Sequence, residues 1–236
     1  MLIELFGIKT KIFGGCLMRV LWIVNIVFPE VSDVANVRVG YGGGWMTAMA
    51  ERLRKRNDIE LAVSVKGKVN KIIKKKVNNI IFYIYPGYGK VTKNGGGNKG
   101  KEIWNYIVND FKPNLIHAYG TEYAHYLELI RNEKEIPILV SLQGILKEYY
   151  RHYYGGMDFI DIFRHITISD IILKRGTYFG RQRFKYNMKT ENEILNTVKF
   201  VDGRTLWDKV SSLNINNNLK YYHCPRIIRK DFYTQR

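Results

Sequence analysis

Cysteine is scarce in this sequence, with only Cys16 and Cys224 among 236 residues. The two lie too far apart for the short spacing of a zinc site or a redox pair. No group of His, Asp and Glu residues has the spacing of metal ligands either, so we expect no bound metal. Two unpaired cysteines are typical of a reducing cytoplasm, which we predict as the location of the protein.

Long apolar runs are also lacking. The longest, residues 20–28, is interrupted by Asn25 and is far shorter than the roughly 20 residues that cross a bilayer. Residues 1–17 make a poor signal peptide, because Glu4 stands where a basic residue is usual and the apolar part is broken. Since Met18 stands directly before the first predicted strand, residues 1–17 are either an extension upstream of the true start or a real N-terminal arm.

Acidic residues are few, with 21 Asp and Glu against 38 Lys and Arg and a formal charge of +17. This charge favours anionic partners such as phosphates, acidic lipid surfaces or nucleic acid. An apolar content of 46% excludes general disorder. One hypothesis is therefore a non-catalytic basic module that binds anionic lipid or nucleic acid, although no helix-turn-helix, RNP or zinc-finger pattern is present.

The stretch from residue 19 to residue 56 has the most specific local pattern. Residues 20–28 have the nearly continuous apolar character of a strand buried on both faces. A loop ending in Gly42, Gly43 and Gly44 leads into an amphipathic helix, whose N-terminus directs free N–H groups at a ligand. Strand, glycine loop and helix are typical of the start of a nucleotide-type α/β fold, and the alternative is a flexible turn.

Strands and helices alternate over the rest of the chain. We predict strands at residues 59–65, 79–85, 115–118, 137–142, 200–203 and 220–223, and helices at residues 101–111, 123–131, 191–198 and 205–212. This alternation indicates an α/β fold with a doubly wound, mostly parallel sheet covered on both sides. We interpret residues 66–76 as a solvated connection and residues 90–100 as mobile surface, because the latter lack the residue order of a phosphate loop.

Residues 147–185 differ in composition from the rest, because Tyr and Phe residues alternate with Arg and Lys. We interpret them as an excursion from the sheet that is helical around residues 159–173. Together with the overall charge, this segment predicts docking on an anionic membrane surface. The alternative is a set of ordinary core aromatics beneath a solvated basic face.

Several segments, in their order and spacing, resemble the N-terminal half of a GT-B fold, retaining glycosyltransferase of the group 1, or family 4, class. They are RVLWIVN, GGWMTAMAERL, KPNLIHAYG, PILVSLQG, VDGRTLWD and YYHCPRIIRKDFY. The resemblance covers nearly the whole chain after Met18. It implies a Rossmann-like, acceptor-side domain over residues 18–236, with the C-terminal donor-binding domain absent.

The resemblance also implies site residues. In such enzymes the glycine loop contributes backbone N–H groups to the cleft, and these map to Gly43 and Gly44. Family members often carry a histidine at the end of the fifth strand, where this sequence has Gln143, which orients a hydroxyl but does not titrate near neutral pH. His117, ending the fourth strand, is a second catalytic candidate or else a core histidine satisfied by backbone. Arg204, after the sixth strand, is placed to meet a phosphate or a sugar hydroxyl.

The function implied by the resemblance is transfer of a hexose-type unit from a nucleotide sugar to a cell-envelope or capsule glycan, or to a lipid-linked acceptor. The nucleotide sugar is a substrate, so no cofactor is expected. We expect the chain alone to be inactive, because the nucleotide-sugar contacts of the family lie on the second domain. The expected location is cytoplasmic and peripheral on the inner face of the membrane, and nucleic acid is not expected as a partner.

Overall fold

The computed structural model describes residues 17–40, 42–87, 94–227 and 233. Its strands are β1 Met18–Ile23, β2 Ile59–Gly67, β3 Ile73–Val77, β4 Ile80–Pro86, β5 Leu115–Tyr119, β6 Ile138–Ser141, β7 Phe200–Gly203 and β8 Lys220–His223. Within the described residues they form one eight-stranded sheet in the order β3-β4-β2-β1-β5-β6-β7-β8. Every pairing is parallel except that of β3 with β4.

Helices connect the parallel strands. They are α1 Ser32–Ala35, α2 Gly44–Leu53, α3 Gly97–Phe111, α4 Leu127–Asn132, α5 Leu146–Arg151, α6 Phe159–Arg164, α7 Ile168–Leu173, α8 Thr177–Thr197 and α9 Leu206–Leu213. Short 3-10 turns stand at Pro29–Val31, Asn94–Gly96 and Ala124–Tyr126. Parallel strands joined in this way need helices on both faces of the sheet, because neither face of the sheet can be left in water.

The core lies on both faces of the sheet. Along β1, Leu21 and Ile23 pack into one apolar cluster with α3, α4 and α8, whereas Val20 and Trp22 pack into a second with α2. Each fully buried aliphatic or aromatic side chain of this kind stabilises the fold by about 1.5–3 kcal/mol. The predicted doubly wound α/β architecture is therefore confirmed.

The interpretation of residues 66–76 as a solvated connection was wrong. Lys66 belongs to β2, and β3 pairs antiparallel with β4 across a turn at Asn78 and Asn79. The lysines of β3 concealed the strand because it lies at the sheet edge, where charged side chains remain in water and discourage pairing with another chain.

Several element boundaries also differ from those predicted. The first strand ends at Ile23 instead of Phe28, and α3 begins at Gly97 instead of Lys101, so the last part of the predicted mobile surface is helical. The helix predicted at residues 191–198 is the end of the long α8. Residues 1–16 and 88–93 lie outside the described residues, so the predicted extension and the first four residues of that surface, 90–93, stay predictions.

The turn between β3 and β4 yields a test of the missed strand. Asn78 and Asn79 have φ of 50° and 62°, a left-handed backbone conformation that costs a β-branched residue about 1–2 kcal/mol. We expect Asn79→Val to lower the free energy of unfolding in urea by about that amount. Asn79→Gly is the control and should cause no loss, because Asn-Gly suits this turn. Equal losses in both variants would contradict the turn.

Candidate functional site

The candidate site lies at the edge of the sheet where the parallel strands have their carboxyl ends. The chain proceeds from β1 to β2 on one side, while β5 pairs with the other side of β1. This reversal of strand order opens a crevice at the carboxyl ends of β1 and β5, where ligands bind in open α/β sheets. The loops after β1, β5, β6, β7 and β8 meet along this edge.

The glycine loop fixes the start of α2 at the crevice. Gly43 has φ of 79° and precedes the first helical residue, Gly44. A Cβ at Gly43 would also collide with the side chain of Ile26. Gly43 therefore has both a conformational and a packing reason to be glycine, and the turn places Trp45 against Tyr119, with ring centroids 5.4 Å apart.

Four buried side chains from β5, β6 and β7 form a hydrogen-bonded chain. Ser141 Oγ donates to Asp202 Oδ1 at 2.6 Å, and His117 Nε2 lies 2.7 Å from Ser141 Oγ. Because the serine proton is committed to Asp202, His117 donates through Nε2 and its Nδ1 accepts from the Tyr119 hydroxyl at 3.1 Å. Burial, together with the charge of Asp202, holds the pKa of Tyr119 well above its usual value, so Tyr119 keeps its proton.

This order of groups differs from that of a serine nucleophile. In a catalytic triad the histidine stands between serine and carboxylate, whereas here Ser141 stands between His117 and Asp202. These hydrogen bonds are therefore suited to hold His117 and Asp202 in place, not to make Ser141 a nucleophile. His117 is satisfied by side chains and not by backbone, unlike the core histidine considered from the sequence.

A small cavity lies beside this chain of hydrogen bonds. Its volume is about 20 Å³, room for about one water molecule. It is lined by Trp45, Met49, His117, Leu139, Ser141, Asp202, Tyr222, Cys224, Pro225 and Arg226. The cavity shows that β5 to β8 and α2 share one wall at the carboxyl edge.

Arg226 closes the cavity. Its guanidinium lies 3.8 Å from the ring centroid of Trp45, and its Nη2 donates to the Leu142 carbonyl at 2.9 Å. Burial and the nearby charge of Arg204 lower the pKa of Arg226, whereas Asp202 acts in the opposite direction. An arginine whose ordinary pKa is so high stays charged, and it offers an anionic group a partner at this edge.

Three buried polar atoms at the same edge have no hydrogen-bond partner among the described residues. They are Asn25 Oδ1 after β1, Glu122 Oε2 after β5 and Gln143 Nε2 after β6. Burial raises the pKa of Glu122, and backbone hydrogen bonds from Glu122 itself and Thr121 together with the charge of Arg226 offset this only in part. Buried polar groups are nearly always paired, so these atoms mark the part of the crevice where a polar ligand would complete the hydrogen bonding.

Glu191, on α8, connects the loops that carry these groups. Its carboxylate accepts hydrogen bonds from Thr121 Oγ1 and the backbone N–H of Leu146, both at 2.9 Å, and from that of Lys147 at 3.2 Å. Burial raises its pKa, and the hydrogen bonds oppose that rise. The role of Glu191 is therefore to position the loops after β5 and β6.

Of the residues proposed from the sequence, His117, Gln143 and Gly43 lie at this edge. Arg204 is exposed, and its backbone N–H donates to Asp208 Oδ2 at 2.8 Å. Sequence reasoning missed five residues at or just past the strand ends: Tyr119, Glu122, Ser141, Asp202 and Arg226. The only sequence signal that could have identified these five residues was their position at or just past the end of a predicted strand. Within the described residues, no group of His, Cys, Asp or Glu is arranged to hold a metal ion.

Neither a protein-family model nor a curated protein matches the chain. Among solved structures it is similar to sucrose-phosphate synthase from Thermosynechococcus elongatus, with 9% identity, a TM-score of 0.52 and coverage of 88% of this chain and 48% of that one. It is also similar to E. coli trehalose-6-phosphate synthase bound with UDP-2-fluoro glucose, with 10% identity, a TM-score of 0.42 and coverage of 85% and 43%.

The similarity to sucrose-phosphate synthase shows the fold, a Rossmann-like domain of the GT-B type. The second similarity has a TM-score below 0.5 and adds no argument. The chain spans about half the length of these solved structures.

Ser141→Ala tests the hydrogen-bonded chain. The substitution removes the hydroxyl donor of buried Asp202 and leaves it only His117 Nε2, 3.4 Å from Oδ1, so we expect the free energy of unfolding to fall by about 1–3 kcal/mol in urea. Ser64→Ala is the matched control, since buried Ser64 donates only to the Trp22 carbonyl, at 2.9 Å, and its loss should cost about 0.5–1.5 kcal/mol. Losses of equal size would show that Ser141 supports no buried charge.

Glu122→Gln tests the buried carboxylate of Glu122, whose Oε2 has no partner. Because burial raises its folded pKa above the unfolded value of about 4.3, the stability of the natural chain should fall as pH rises through these two values. We expect Glu122→Gln to flatten that fall and to be more stable than the natural chain near pH 7, with the advantage lost below about pH 4. Urea unfolding across pH measures this. The control is Glu135→Gln, at an exposed site, and an equal gain there would contradict the burial argument.

Proposed function

We propose that the chain is the acceptor-side domain of a retaining, family 4 type glycosyltransferase. The complete enzyme transfers a hexose-type unit from a nucleotide sugar to a cell-envelope or capsule glycan, or to a lipid-linked acceptor, at the cytoplasmic side of the membrane. The observation that carries this proposal is the crevice at the carboxyl edge of a GT-B type sheet, where Asn25, Glu122 and Gln143 present unpartnered polar atoms. The reaction uses no metal and no cofactor.

The acceptor hydroxyl groups bind to these three side chains. Glu122 and Asn25 offer oxygen atoms that accept hydrogen bonds, and Gln143 offers an N–H donor, so together they match the donor and acceptor character of a sugar hydroxyl. His117 and Asp202, fixed through Ser141, form the floor beside them. Gly43 and Gly44 allow the backbone at the start of α2 to approach the acceptor.

Arg226 and Arg204 provide the positive charge of the site. In a retaining transfer the nucleotide diphosphate departs, and cationic groups stabilise the negative charge that develops. The guanidinium of Arg226 packs on the ring of Trp45 at the crevice. The charge of Arg204 is close enough to lower the pKa of Arg226. Both follow strands that end at the crevice, β8 and β7.

The nucleotide sugar is held by a second Rossmann-like domain that faces this edge. Transfer requires both substrates in near-attack geometry, and one wall of a cleft does not supply that positioning. We therefore propose that these 236 residues bind the acceptor but do not catalyse transfer alone. A nucleic-acid-binding module is the competing function, favoured only by the charge of +17.

Ligand binding separates the two functions. At ten times its Kd, an acceptor glycan stabilises the chain by about 1.4 kcal/mol, which we expect as a rise of about 3–6 °C in Tm. Nucleotide sugars and RNA should produce no comparable rise, and no product should form from radiolabelled nucleotide sugars with the chain alone. Glu122→Gln and Gln143→Leu should abolish the acceptor effect, whereas Glu135→Gln should preserve it. Stabilisation by RNA alone, or robust turnover, would overturn the proposal.

A further inference from the structure

Helix α7 buries none of its side chains, although four of its six residues are large aliphatics. Ile168 is 78% exposed and Ile172 is 72% exposed, and Ile171 and Leu173 are each 58% exposed. Helix α6, just before it, buries only Ile162. Two consecutive helices therefore present apolar side chains to the outside.

We call this region the α6–α7 surface. It consists of Met157, Phe159, Ile160, Phe163, Ile168, Ile171, Ile172 and Leu173, all of which are exposed. Single exposed apolar residues are normal on a protein, but a continuous set of this kind marks a surface that binds a partner or a membrane.

The α6–α7 surface is preformed. Thr167 and Asp170 form a reciprocal capping box that fixes the start of α7. The ring of Phe159 packs against Tyr154 at 5.6 Å, and that of Phe163 packs against Tyr178 at 6.1 Å. The capping box and the aromatic contacts thus fix the two helices that expose these apolar side chains.

The excess of positive charge near these apolar residues comes from the flanking helices α5 and α8, because residues 157–175 themselves contain three Lys and Arg and three Asp. Residues 146–189 contain nine Lys and Arg against four Asp and Glu. Arg164, the last residue of α6, and Lys174, which directly follows α7, are exposed and make no ion pair within the described part of the chain. Arg181 lies over the rings of Tyr150 and Tyr154, at 4.1 and 5.0 Å.

We infer that the α6–α7 surface docks on an anionic lipid bilayer, with its Ile, Leu and Phe side chains in the boundary between headgroups and acyl chains. Arg164 and Lys174 pair with lipid phosphates at the same depth. Apolar side chains beside unpaired cations match this boundary, where burial of apolar area and attraction to anionic lipid act together. None of the described helices is long and apolar enough to cross a membrane.

The surface is connected to the proposed acceptor site through α5 and α8. Helix α5 begins three residues after Gln143, and Glu191 of α8 holds the N-terminus of α5. The excursion that bears the α6–α7 surface therefore starts and returns at the carboxyl edge of β6. The identity of a lipid-linked acceptor rests on the proposed function, but lipid binding itself does not and is measured without any transferase reaction.

Vesicle co-sedimentation of the whole chain tests the inference. Vesicles of phosphatidylcholine alone are compared with vesicles containing about one third phosphatidylglycerol, at about 0.1 M and about 1 M salt. We expect binding to the anionic vesicles at low salt and its loss at high salt. Ile171→Asn with Ile172→Asn should weaken binding at least tenfold, and Arg164→Gln with Lys174→Gln should weaken it about fivefold per charge.

Two matched double variants serve as controls. Leu206→Asn with Val210→Asn removes two exposed aliphatics from α9, and Lys71→Gln with Lys76→Gln removes two exposed charges just before and within β3, at the far edge of the sheet. Both should bind like the natural chain. All four variants change exposed residues, so their thermal unfolding should match that of the natural chain.

Three results would overturn the inference. The first is equal binding to neutral and anionic vesicles, or binding that salt does not change. The second is a loss as large in the α9 and β3 controls as in the α6–α7 variants. The third is a natural chain that ignores vesicles but forms a dimer, measured by light scattering, that Ile171→Asn with Ile172→Asn dissociates, because a second copy then covers the surface.

Discussion

Parallel pairing of β5, β6 and β7 puts Tyr119 opposite Ser141 and Ser141 opposite Asp202, and the rest of the site depends on this register. A shift of one residue would turn Ser141 to the other face of the sheet and place an aliphatic side chain between His117 and Asp202. The buried carboxylate would then have no donor. The apolar clusters on both faces fix the register, because the same shift would exchange the two faces of every strand.

The carboxyl edge concentrates groups that are costly to bury. Asp202, Glu122 and Glu191 all carry carboxylates into the protein. Asp202 and Glu191 receive hydrogen bonds from other elements, whereas Glu122 receives them from the backbone N–H groups of Thr121 and of Glu122 itself and leaves its Oε2 unpartnered. Glu191 stabilises the fold because it holds two loops in place. Glu122 holds no other element in this way within the described residues. A buried carboxylate with one unpartnered oxygen atom and a raised pKa in a crevice is the pattern expected of a group retained for binding or chemistry.

The positions of the strands along the chain could be predicted from the sequence because local signals set them. Apolar runs, the glycine turn and the resemblance to GT-B enzymes predicted every parallel strand to within a few residues. Strand β3 was missed, since an edge strand rich in lysine has the composition of a loop. The chain from Tyr119 to Asp202 could not be predicted, because it joins residues up to 61 positions apart that meet only through register. His117 was chosen for its chemistry, but its serine and tyrosine partners carried no signal of their own.

The excursion after β6 couples the crevice to the outer surface of the molecule. Glu191 binds Thr121 from the β5 loop and the first residues of α5, so both ends of the excursion are fixed to the same strand ends. A surface carried between α5 and α8 is thereby held at a set position relative to Glu122 and Gln143. If a bilayer covers α6 and α7, the carboxyl edge lies at a defined height above it, and an acceptor anchored in that bilayer needs to extend only its sugar end into the crevice. The carboxylate of Glu191 then supports both the geometry of the site and the orientation of the site toward the membrane.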